Sequence, residues 1–271
     1  MRLDGLRMLA GRPDRPITLG EFADEAARYL QALRPLHPLL RGTMYLMGPA
    51  PEEVEPLAPD LSNVLSHLQR FGWSRSAPEG WNTGLMSDKS MGAAGTARSG
   101  FHLWLNTNGG PKAGPETLSL RLHGGGRAGG LWTLDMEFPS EGAPEFGHLD
   151  FVKRLMQITV ECWQPESVKV LDVSFRRALQ ALTQSERLFM GWVQYFDCRD
   201  CESVLPLDIH REPFGPQGLL TVLQPTPPDI DDTAALERAR RMYEALRPGQ
   251  HLIYRQERKP IAATPTGSPP Q

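Results

Sequence analysis

The stretch from Glu116 to Phe138 constrains the fold more than any other. Leu118, Leu120 and Leu122 alternate with Ser119, Arg121 and His123, and Trp132, Leu134, Met136 and Phe138 alternate with Thr133, Asp135 and Glu137. A period of two places one apolar and one polar face on each strand. A sheet with one dry face is usually antiparallel and buries that face under helices. Phe101, Leu103 and Leu105 alternate in the same way ahead of the turn signal Asn108-Gly109-Gly110-Pro111. Residues 100–138 therefore predict three consecutive antiparallel strands, and the chain predicts an α+β fold whose helices pack mainly on one sheet face.

Helical periodicity supplies the second layer. Thr18 and Glu21 form a capping-box pattern ahead of an apolar stripe of Leu19, Phe22, Ala26, Tyr29, Leu30 and Leu33, and Pro35 closes that helix. Further helices are predicted over 60–71 with Asp60 as cap, over 147–163, over 175–182, and from Asp231 or Asp232 to Leu246. Strands are predicted at 43–47, 168–173, 188–196, 219–223 and 252–254. Residues 48–59, 72–98 and 197–217 read as loops. Residues 1–16 read as a flexible lead-in, 17–255 as a single α+β domain, and 256–271 as a disordered proline-rich tail.

Charge and cysteine usage narrow the function classes. With 29 Lys and Arg against 32 Asp and Glu, the net charge is −3, which argues against a broad basic surface for direct nucleic-acid binding. No apolar run reaches membrane-spanning length, and no uninterrupted apolar core of a secretory signal follows Met1. Three cysteines, Cys162, Cys198 and Cys201, suit a reducing cytoplasm better than a disulfide framework.

Several motifs suggest chemistry, each with a plainer explanation beside it. His123-Gly124-Gly125-Gly126 resembles an esterase oxyanion segment, but no G-x-S-x-G nucleophile elbow accompanies it, so a flexible hairpin connection accounts for it. His123, Asp135 and Glu137 are candidate metal ligands of a hydrolase, against a cross-strand Arg121–Asp135 pair on a solvated face. Cys198-x-x-Cys201 has zinc spacing and needs Cys162 or His210 to complete a zinc-stabilised adaptor; otherwise it is two free thiols. Glu52, Glu53 and Glu55 form one acidic cluster and Asp229, Asp231 and Asp232 another. They are either solvated loop and helix-cap residues or a patch that captures a basic partner. Trp73 and Trp81 are either buried or anchors of a contact surface. No phosphate loop, dinucleotide fingerprint or other cofactor signature is present. The residues themselves favour a binding protein over an enzyme.

The strand Gly191–Phe196 (GWVQYF), the segment Gly218–Leu252 (GLLTVLQPTPPDIDDTAALERARRMYEALRPGQHL) and Leu33–Leu40 (LRPLHPLL) together resemble the immunity protein 52 family of bacterial polymorphic-toxin systems. The resemblance spans about residues 17–255 and lies in the order of elements. It implies an α+β cytoplasmic protein without catalytic residues or cofactor. Its partner would be a cognate nuclease toxin of the restriction-endonuclease-like class, delivered by type VI secretion and neutralised by occlusion. The family's motifs transfer no contact residues. The toxin-binding candidates Glu52, Glu53, Glu55, Trp73, Trp81, Asp229, Asp231 and Asp232 rest on charge and aromaticity alone.

Overall fold

A computed structural model describes residues 5–48, 50, 53–71, 100–109, 114–125, 131–184 and 190–252. In chain order the strands are β1 (Leu6–Pro13), β2 (Tyr45–Met47), β3 (Val54–Pro56), β4 (Phe101–Asn106), β5 (Ser119–Gly124), β6 (Leu131–Glu137), β7 (Ser167–Asp172), β8 (Val193–Phe196), β9 (His210–Phe214) and β10 (Gly218–Val222). The helices are α1 (Leu19–Leu33), α2 (Pro38–Arg41), α3 (Asn63–Phe71), α4 (Leu149–Trp163), α5 (Val173–Thr183) and α6 (Thr233–Leu246). All ten strands join one antiparallel sheet in the order β3-β2-β4-β5-β6-β1-β7-β8-β10-β9. The fold is α+β, and β4-β5-β6 is the meander that the alternation predicts.

Burial divides the sheet into two halves. On β1, β4, β5 and β6 it alternates strictly enough to leave one half-buried face. On β8 and β10 every residue is buried, and β7 is buried throughout its interior. Strands buried on both faces need a layer on each side. On the apolar face α1 packs against α3 and α4. Tyr29 of α1 meets Thr159 of α4 at 2.9 Å, and the Thr159 hydroxyl reaches Met8 of β1. Behind the second half α5 packs against both β7 and α6.

The lead-in expectation for residues 1–16 is overturned. Residues 6–13 form β1, which lies in the middle of the sheet and pairs Arg7 with Glu137 of β6 and with Leu171 of β7. A period-two signal is present in Leu6, Met8 and Ala10, all buried, but Leu9 breaks the polar alternation and the weak strand formers Ala10 and Gly11 dilute it.

Two loop expectations also give way to strands. Residues 54–56 form β3, and 210–214 form β9 within the expected 197–217 loop. Each carries a proline, Pro56 or Pro213, which lowers its strand signal and is tolerated at a sheet edge. These strands are the two edges, where proline also blocks pairing with other chains.

The predicted caps mostly hold. Thr18 and Glu21 form the reciprocal box on α1, and Asp232 accepts the Ala235 amide at 2.9 Å on α6. Asp60 is not a helix cap. It accepts the Ser62 amide and hydroxyl at 3.1 and 2.7 Å, and α3 begins only at Asn63. The predicted strand at 188–196 is confined to β8 among the described residues. Gly191 beside it is a close-packing position, because a Cβ there would lie 2.7 Å from the Val193 carbonyl oxygen. Gly124 and Gly125 after His123 are packing residues too. A Cβ on Gly124 would lie 2.1 Å from Trp132, and Gly125, at φ +79°, donates its amide to Asp14 at 2.9 Å. Of the 252–254 strand only Leu252 is described, in a turn; the tail from 256 lies outside the described residues.

Lys169 on β7 is 7% exposed, and burial pushes its ammonium down to about 8 from an ordinary 10.5. Between those values the unfolded chain holds more protons than the folded one, so this lysine's contribution to stability rises with pH. Below about pH 8 the lysine is charged in both states and the burial penalty is complete. Lys169→Met is expected to raise stability at pH 7 by about 3 kcal/mol, because methionine removes the charge whose burial is costly. The gap in urea midpoint between variant and wild type should narrow from pH 8 to pH 10. Comparing the two proteins matters because Cys201, pushed up to about 12 mainly by burial, works in the opposite direction. A gap that stays constant over that range contradicts the argument.

Candidate functional site

The two acidic clusters lie at opposite ends of the sheet. Glu53 and Glu55 are at the β3 edge; Asp229, Asp231 and Asp232 lie between β10 and α6 at the other. At about 4.8 Å per strand the separation is roughly 40 Å. The clusters therefore form separate surfaces. Glu52, Trp73 and Trp81 lie outside the described residues.

Carboxylates at the β3 end are occupied within the protein. Glu53 accepts the Ala50 amide at 3.0 Å, while Glu55 accepts from Arg70 at 2.5 Å and meets His67 Nδ1 at 2.9 Å. Burial opposes ionisation of Glu55, but the Arg70 and His67 hydrogen bonds outweigh it and hold the carboxyl below its ordinary range. His67 is itself buried, and that burial lowers its pKa. This triad fastens edge strand β3 to α3.

The α6 end is more open. Asp232 is committed to the helix cap, and the Ala235 amide lowers its pKa. Asp229 accepts the Asp231 amide at 3.2 Å, which folds the turn and leaves Ile230 46% exposed between two carboxylates. On the same helix Arg241 holds Asp208 through two hydrogen bonds, at 3.0 and 2.5 Å. Next to Asp208 stands Leu207, 93% exposed, and Val204, at the end of the preceding single 3-10 turn Glu202–Val204, is 45% exposed. Both residues fall within the expected 197–217 polar loop and are not among the candidates that charge and aromaticity single out. Their apolar identity was visible, but their orientation was not.

Cys198, Cys201, Cys162 and His210 do not gather. Cys201 is fully buried, all three cysteines are free thiols, and His210 lies beside Glu212 on β9. Cys201 behaves as a small apolar core residue. The hydrolase candidates share the polar face of neighbouring strands but are not placed to hold a metal ion together. On the polar sheet face His123 stands opposite His102 and Thr133, whereas Asp135 stands opposite Arg121. Arg7 reaches Asp135 and Glu137, each at 3.4 Å, and Arg121 stacks over Trp104 at 4.9 Å. Burial raises the Asp135 pKa and pushes His102 down to about 4. Among the described residues no three His, Cys, Asp or Glu side chains are placed to hold a metal ion. This face is an ion-paired mosaic with its arginines against its carboxylates.

No family model matches the chain, and no curated protein matches it. Among solved structures it is similar to a Pseudomonas aeruginosa T6SS protein, at 12% identity and a TM-score of 0.48. The match covers 89% of this chain and 72% of the other. Among the described residues no helix is long and apolar enough to cross a membrane.

Proposed function

We propose that this chain is an immunity protein, without catalytic activity of its own, that binds a cognate nuclease toxin in the cytoplasm and occludes its active site or substrate groove. The observation that carries the reading is the exposed turn Asp229-Ile230-Asp231 at the start of α6, an apolar side chain between two carboxylates. A nuclease groove is basic because it holds phosphates. Carboxylates speed and orient capture by such a groove, while a central apolar contact supplies binding energy. The resemblance to the immunity protein 52 family, with its type VI secretion setting, points to the same class of partner.

The test is to mix the purified protein with the nuclease encoded beside it and follow DNA and RNA cleavage. Cleavage should fall to background at a stoichiometric ratio. Association should slow steeply with added salt, and replacing both Asp229 and Asp231 with Asn should slow it by roughly 5- to 10-fold at low salt. Full cleavage in the presence of a molar excess of the protein refutes the proposal.

A further inference from the structure

Gln224, where the chain leaves β10, stands at the base of the turn that carries Asp229, Ile230 and Asp231. Its main chain is tied to the core. The Leu223 amide donates to the Trp192 carbonyl oxygen at 2.9 Å, and the buried Trp192 indole donates back to the Gln224 carbonyl oxygen at 2.7 Å. The side-chain amide uses both of its ends. Its Oε1 accepts from Arg238 of α6 at 2.6 Å, and its nitrogen donates to the carboxylate of Asp232, the α6 cap. Contact between residues 224 and 232 closes the segment 225–231 at its neck. Three residues of that segment, Pro225, Pro227 and Pro228, have φ fixed by their rings. Within it the Asp231 amide donates to the Asp229 carboxylate at 3.2 Å. The Asp232 and Thr233 amides donate to the Asp229 and Asp231 carbonyl oxygens, at 3.1 and 2.9 Å.

We infer that Gln224 is a positioning residue: by holding Arg238 and the Asp232 cap together, it sets the Asp229-Ile230-Asp231 turn in the shape that meets the partner. The inference rests on the toxin-binding reading above and adds a residue that neither charge nor aromaticity singles out. The chemistry needs an amide. An acceptor must face the Arg238 guanidinium and a donor must face the Asp232 carboxylate, and glutamine supplies one of each. Glutamate there would turn a second carboxylate on Asp232, and methionine would leave both partners unmet. A turn that is already ordered loses less conformational freedom on docking than a loose one. The affinity of Ile230 and its flanking carboxylates therefore depends on this neck.

The experiment is a double-mutant cycle in the full chain. It is read by hydrogen exchange of the amides at positions 232 and 233 in the free protein, and by affinity for the nuclease encoded beside it. Gln224→Glu sets carboxylate against carboxylate. Asp232→Asn sets one amide N–H group against another while still capping α6. The two substitutions change the net charge in opposite directions, yet each should speed exchange about tenfold and weaken binding about fivefold. Combining them faces a donor with an acceptor again, with the polarity reversed, and should return both readouts to within about twofold of wild type. Wild-type exchange in both single variants, or a double variant as loose as they are, overturns the positioning role. Exchange that follows the cycle while affinity does not overturns the link from the neck to docking. A wild-type chain that neither binds nor inhibits the nuclease, with the exchange pattern intact, overturns the toxin-binding reading and leaves the neck standing.

Discussion

A chain lacking residues 1–13 is expected to lose the native fold altogether. β1 pairs along its length with β6 on one side and β7 on the other, and it is the strand that joins β3-β2-β4-β5-β6 to β7-β8-β10-β9. Its removal takes Leu6, Met8 and Ala10 out of the core. The two larger side chains alone account for about 3–6 kcal/mol of apolar burial. It also leaves β6 and β7 with unpaired edges inside the molecule, where unsatisfied backbone groups are costly and aggregation-prone. Against a typical stability of about 5–15 kcal/mol, this loss is not survivable. Circular dichroism and sedimentation of the truncated chain decide it: a soluble monomer that melts cooperatively near the wild-type temperature contradicts the central placement of β1.

The second large effect is expected at Trp163, the last residue of α4. Its ring is fully buried, 4.3 Å from the Trp132 ring and 5.7 Å from that of Tyr29. Arg12 of β1 lies 5.2 Å from the Trp132 ring and 5.7 Å from that of Trp163, donates to the Trp163 carbonyl oxygen at 2.8 Å, and pairs with Glu25 at 3.2 Å. One aromatic pair thus ties α4 to α1, β1 and β6. Trp163→Ala opens a cavity that the stacked Trp132 and the sheet cannot fill, at a cost of about 4 kcal/mol. Trp163→Phe, which keeps an aromatic ring, should cost less than half of that. Urea unfolding measures both, and a loss below about 1 kcal/mol for the alanine variant means the site collapses freely and the stack is not a keystone.

The sequence was most legible where the information is local. The alternation over 101–105, 118–123 and 132–138 sets the β4-β5-β6 meander, because side chains on a pleated strand change face at every residue. Thr18 with Glu21 places the start of α1, and Asp232 that of α6, because a cap acts within three residues. The apolar runs at 188–196 and 219–223 also mark β8 and β10 as strands, but the buried polar residues Gln194 and Thr221 hide their burial on both faces. The strands that escaped, β1, β3 and β9, are each interrupted by glycine, proline or charged residues and gain their state from neighbours.

For the candidate site, the sequence by itself determined which residues carry charge and which are apolar, and that Asp232 stands at the start of a helix, but not the strand that holds Glu55. Only the tertiary structure decided that Arg7 lies opposite Glu137, 130 positions away, and that the two acidic clusters occupy opposite ends of one sheet. It likewise decided that Glu55 is spent on Arg70 and His67, while Leu207 faces water. The reason is physical. Periodicity and capping are set by forces between near neighbours in the chain, whereas strand partners, ion-pair partners and solvent exposure depend on which distant segments pack together and what surface they leave uncovered.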